Sequence, residues 1–109
     1  MQIKKIKKNK DFFSIYNNSK KVYTKYAIIF IKENKRNEQR FGFVASKKTG
    51  KAIQRNRIKR LFKEFVRLNN QIFKRNTDYI FVGKSILKEN IKKLKYKDIE
   101  KDILKVMKK

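Results

Sequence analysis

The sequence predicts a small α+β domain, a central β-sheet packed by helices, with elements in the order α-β-β-α-β-α. Three short segments, YAIIFIK, RFGFVAS and DYIFVG, are β-branched and aromatic and are bounded by polar loops. Segments around Ile58 and Ile99 carry apolar residues three and four apart, the repeat of helices with one buried side. The 109 residues contain no internal repeat, Pro/Gly-rich linker or low-complexity tract, so a single domain over residues 1–109 is expected.

Residues 1–8 read as a mobile basic arm whose lysines can touch phosphate. Asn9 then caps a short helix over Lys10–Asn17, with Asp11 in its first turn and Phe12, Ile15 and Tyr16 on one side. A strand follows over Tyr26–Lys32, with room for a shorter one near Val22. Its alternation puts Tyr26, Ile28 and Phe30 on one face and Ala27, Ile29 and Ile31 on the other. Asn34–Gln39 reads as a hairpin-like loop into a second strand, Arg40–Ser46. The turn KKTGK, with Gly50 for backbone freedom, opens a helix from Lys51 or Ala52 to Leu68. A strand over Asp78–Gly83 comes next, residues 84–95 stay ambiguous, and a helix over Tyr96–Met107 presents Ile99, Ile103 and Val106. The strand-helix-strand unit makes Arg40–Ser46 and Asp78–Gly83 parallel, with a right-handed crossover as the default.

Charge is the strongest functional signal. The chain has 33 Lys and Arg against 9 Asp and Glu, a formal net charge of +24. Self-repulsion on that scale disfavours a compact state and points to a polyanionic partner, nucleic acid first. An anionic membrane surface is the rival, yet no amphipathic anchor, lipidation signal or membrane-spanning run is evident, so no membrane is expected and the cytoplasm is the default. The charge concentrates between Ser46 and Arg67, where nine basic residues accompany one acid, Glu64. On a helix, Ile58, Leu61, Phe62 and Phe65 share one side while Asn56, Arg60, Lys63 and Arg67 line the other, with Lys59 beside them. A solvated face normally mixes signs, and this one does not.

Catalytic chemistry has no obvious carrier. Cysteine and histidine are absent, which removes thiolate and imidazole catalysis and the commonest zinc sites. Asp98 and Asp102, one turn apart, read as a solvated salt-bridging face rather than an acid–base pair. Gly50 and its following lysine lack the rest of a phosphate-binding loop. Phe12, Tyr16 and Phe30 can line a groove between the first helix and the sheet, where bases would stack, although for any one of them the pattern alone favours the core.

The run SKKTGKAIQRNRIKRLFKE, preceded by RFGF, strongly resembles the signature of the bacterial ribonuclease P protein family. Its hallmark is Arg55-Asn56-Arg57, followed by IKR and preceded by SKK and a glycine. The likeness extends to KKNKDF at residues 7–12 and to DYIFVG, covering nearly the whole chain, with the last helix weakest. The resemblance implies a ribosomal-protein-S5-domain-2-like fold with a left-handed crossover, against the right-handed default. It implies a subunit that binds a catalytic RNA and promotes removal of the 5′ leader of precursor tRNA. The RNA would perform the hydrolysis and hold the Mg2+ ions, with no catalytic or metal-binding residue in the protein and one protein per RNA.

By the same resemblance, Lys47, Lys48, Arg55, Asn56, Arg57, Lys59 and Arg60 would face the catalytic RNA, with Lys51, Lys63 and Arg67 extending that surface. Phe12, Tyr16 and Phe30 would bind the single-stranded leader in a separate cleft. Tyr16 and Phe30 exchange Phe and Tyr types relative to the commoner family pattern, and Thr49 and Lys51 depart from its aliphatic and small polar choices. A ribosomal protein of similar fold is the alternative function.

Overall fold

A computed structural model describes residues 4 to 107. Five strands form one mixed sheet in the spatial order β1-β4-β5-β3-β2: β1 (Lys4–Lys5), β2 (Lys20–Tyr23), β3 (Ala27–Glu33), β4 (Gln39–Val44) and β5 (Thr77–Gly83). The helices are α1 (Asn9–Asn17), α2 (Ala52–Leu68), α3 (Leu87–Asn90) and α4 (Tyr96–Met107). β4 and β5 run parallel because α2 carries the chain back between them, whereas β3 is antiparallel to both β2 and β5.

Four expectations change. The basic arm over residues 1–8 is instead part of the sheet from Lys4: β1 pairs with Arg40 and Phe41, Ile6 N–H donates to the Phe41 carbonyl (2.9 Å), and the Ile6 side chain is buried. One apolar residue among lysines gave no strand signal. Residues 1–3 lie outside the described residues. Asn34–Gln39 is not a hairpin, since β5 lies between β3 and β4. Tyr26 does not share a face with Ile28 and Phe30. It sits in a tight turn closed by Thr24 N–H on the Ala27 carbonyl (2.8 Å), and it packs in the main core. Finally, α3 occupies the ambiguous stretch, with Leu87, Ile91 and Leu94 buried around it.

The main core lies on one face of the sheet. Ala27, Ile29, Phe41, Tyr79 and Phe81 meet Ile58, Phe62, Phe65 and Val66 of α2 and Ile99 and Ile103 of α4. The helix periodicity therefore located the buried side of α2, although Leu61 is only half-buried and Val66 joins the core in full. Val106, expected with Ile99 and Ile103, is half-buried at the helix end.

Asp102 is not a solvated acid. Its carboxylate accepts from the backbone N–H groups of Lys25 and Tyr26, both at 2.9 Å, and so ties α4 to the β2–β3 turn. The Lys25 amide is exposed and the Tyr26 amide partly buried, so losing their acceptor costs about 1 kcal/mol, the low end for an unsatisfied group. Asp102→Ala is therefore expected to lower the urea midpoint by an equivalent amount, with an unchanged slope; an unaltered midpoint would refute the tie.

Candidate nucleic-acid interface

The opposite face of the sheet carries α1. Register places three cross-strand rows there: Arg40–Asp78–Lys32, then Gly42–Ile80–Phe30–Lys21, then Val44–Val82–Ile28–Tyr23. Helix α1 seats itself on the first two rows. Asp11 accepts from Arg40 Nη1 (3.2 Å), and the Ser14 hydroxyl accepts from Lys32 Nζ (2.9 Å). Ile15 is buried with Ile80 and Ile6. Tyr16 packs edge-on against Phe30, ring centres 4.8 Å apart, and burial raises the Tyr16 pKa.

The first row is fixed by buried charge. Arg40 holds Asp78 through two bonds, Nε to Oδ1 at 2.9 Å and Nη2 to Oδ2 at 2.7 Å, and Asn34 Nδ2 adds a third at 2.7 Å. Hydrogen bonding to Asp78 raises the guanidinium pKa against the opposing effect of burial. In the second row Gly42 lets the Phe12 ring lie on the sheet, because a Cβ there would stand 2.7 Å from Phe12 Cε1. The third row is left partly open to solvent: Val44, Val82 and Ile28 are half-buried and Tyr23 is exposed. The structure therefore brings Phe12, Tyr16 and Phe30 together beside a trough with an apolar floor.

On the main-core side, α2 turns its cationic row outward. Its entry is a rigid turn. The Ser46 hydroxyl accepts from Lys48 N–H (3.3 Å), and the fully buried Thr49 donates its hydroxyl proton to the Ser46 carbonyl (2.6 Å). Gly50 has φ of 128°, and Gln54 Oε1 occupies the space beside it while accepting from Lys51 N–H (2.8 Å). Lys47, Lys48 and Lys51 are held outward by this turn, all exposed.

Of the remaining cationic candidates, Lys59 and Arg60 are exposed along with Asn56, while Arg55 and Lys63 are half-buried. Two have partners within the chain. Arg57 Nη2 donates to the Leu94 carbonyl (2.5 Å), and Arg67 Nε donates to Glu64 Oε1 (2.6 Å) in a weak, exposed surface pair.

The two expected surfaces meet at Phe12. Asn56, Lys59, Arg60 and Lys63 line one cleft of about 630 Å³ together with Phe12 and Lys5, along the edge of β4. This cleft exists because β1 ends at Lys5 while β4 continues to Val44. Its lining contains no carboxylate. Contact with Lys5, and to a lesser degree burial, lowers the Lys63 pKa, the signature of two ammonium groups facing each other without an anion. Sequence reasoning marked Lys5 only as one of the arm lysines and missed Tyr23, Val44 and Val82. Alternation pointed only to Ile28, and the rows require knowing that β5 lies between β3 and β4.

Comparison with known proteins identifies the family. The family model described as Ribonuclease P matches residues 2–109. The chain belongs to the ribonuclease P protein family.

The ribonuclease P protein component of Fusobacterium nucleatum is 53% identical over 103 residues, covering 94% of this chain and 93% of that protein. The component from Alkaliphilus oremlandii is 42% identical, covering 98% and 90%. Among solved structures, the RNase P protein of Staphylococcus aureus aligns with a TM-score of 0.83 at 28% identity over 98% of this chain and 94% of the other. That of Thermotoga maritima gives 0.84 at 24% identity, covering 94% and 93%. The α+β architecture is thus that of ribonuclease P proteins. Nothing in these likenesses favours the ribosomal-protein alternative. No helix among the described residues is long and apolar enough to cross a membrane.

Proposed function

We propose that this chain is the protein subunit of a ribonuclease P ribonucleoprotein in the cytoplasm, one copy per catalytic RNA. The turn at Lys47 and Lys48 and the exposed side of α2 dock on that RNA, and the trough beneath α1 takes the 5′ leader of precursor tRNA. The observation that carries this reading is the carboxylate-free cleft where Phe12 meets Asn56, Lys59, Arg60 and Lys63. A leader stacked on the aromatic face would run directly into phosphate-binding side chains. Arginine forks suit bidentate phosphate contact, and aromatic faces hold unpaired bases.

Hydrolysis of the phosphodiester falls to the RNA in this reading. In the same reading the RNA holds the Mg2+ ions, and none is bound tightly by the protein alone. The protein's contribution is affinity for precursor over product.

Cleavage of labelled precursor tRNA at low Mg2+, with ribonuclease P RNA and with or without the protein, tests the assignment. Stimulation by the protein is the expected result, and no stimulation would overturn it. Phe12→Ala or Phe30→Ala is expected to weaken precursor binding by roughly 1–3 kcal/mol per lost stacking face while mature tRNA binding stays level. Equal losses for both ligands would remove the leader from the trough.

A further inference from the structure

We infer that Tyr23 is a second base-stacking platform, taking a leader nucleotide farther from the cleavage site than those at Phe12, Tyr16 and Phe30. The inference rests on the leader reading above and extends it to the far edge of the sheet. The row Val44–Val82–Ile28–Tyr23 crosses four strands, a span of about 14 Å at ordinary strand spacing, from the cationic cleft at β4 to the outer strand β2. Tyr23 ends that row and is 59% exposed, although its row neighbours are half-buried.

An exposed tyrosine on an edge strand is often there for strand propensity alone. Two observations argue for more here. The Lys84 ammonium is tethered by donation to the Thr24 carbonyl (2.7 Å) and stands 5.9 Å from the Tyr23 ring centre. The adjacent row repeats the arrangement, with Lys21 Nζ 5.6 Å from the centre of the Phe30 ring. Two aromatic–lysine pairs therefore follow one another on the same face, in rows that contain no carboxylate. A ring to stack a base beside a cation to meet its phosphate is the unit that single-stranded nucleic-acid tracks repeat. An acidic or apolar peptide would use one half of each pair, whereas an RNA strand uses both.

The test measures binding of precursor tRNAs with progressively shortened leaders to the reconstituted holoenzyme. Wild-type affinity is expected to rise with leader length to a plateau. With Tyr23→Ala or the strand-compatible Tyr23→Thr, the long-leader precursor is expected to bind on the order of tenfold more weakly, and the short-leader precursor unchanged. Tyr23→Phe should restore the long-leader affinity. Lys84→Gln should reduce the salt slope for the long leader by about 0.7, the value for one single-strand phosphate contact. Variants that bind every leader like the wild type, or that lose affinity equally at all lengths, overturn the inference. A wild-type holoenzyme indifferent to leader length overturns instead the reading on which it rests.

Discussion

Replacing Asp78 by alanine is expected to cost about 3–5 kcal/mol of folding stability, the penalty for stranding a buried charge. Arg40 is 8% exposed and would keep only the longer bond to Asp11, while Asn34 would keep only its bond to the Glu38 carbonyl. Against a total stability of about 5–15 kcal/mol for a domain, that loss is large. The effect should reach the interface as well, because the same guanidinium holds Asp11 and with it the N-terminal turn of α1, one residue before Phe12. Urea unfolding of the free protein would show the midpoint falling at constant slope. The paired replacement Arg40→Met with Asp78→Leu should recover much of the loss, since it removes both charges together. A single Asp78→Ala variant as stable as the wild type would refute a structural role for the pair.

The second large effect concerns α2. Lys59→Gln, Arg60→Gln and Lys63→Gln together are expected to reduce the salt slope of assembly with the catalytic RNA by up to about 2.7, at roughly 0.9 per duplex phosphate. Between about 50 and 200 mM salt that difference amounts to roughly fortyfold in affinity. The free protein should not be destabilised, since the three side chains point into an open cleft and the Lys5–Lys63 repulsion disappears. Arg57 is a poorer probe. Its bond to the Leu94 carbonyl means that removing it also loosens the chain leading into α4. A triple variant with the wild-type salt slope would show that these residues meet no phosphate.

How much could be read beforehand followed from the range of the interactions. Local periodicity was enough for α2, which opens at Ala52 and closes at Leu68, and for α4, whose bounds were as expected. Tyr26 and Asp102 were misplaced because a turn hydrogen bond sets the first, and the second meets that turn 76 residues away in sequence. The same is true of β1, whose partner strand is β4, and of Asp78, an ordinary strand-end acid until Arg40 is brought beside it. For the interface, residue chemistry marked the cations and aromatics. The meeting of Phe12 with the α2 cations in one cleft depends on how far β1 extends along β4, which no local pattern encodes.

The spatial order β1-β4-β5-β3-β2 also sets an order of events in time. The central strand β5 is the last strand to be synthesised. Until residues 77–83 leave the ribosome, the β2–β3 pair and the β1–β4 pair have no common partner and cannot be joined into one sheet. At about 5–20 residues per second the nascent chain passes through several seconds as two unjoined halves. Lysines at positions 4, 5, 20 and 21 line the outer strands of those halves, so the charges that guard the finished sheet edges also discourage wrong pairing while the chain waits for its middle.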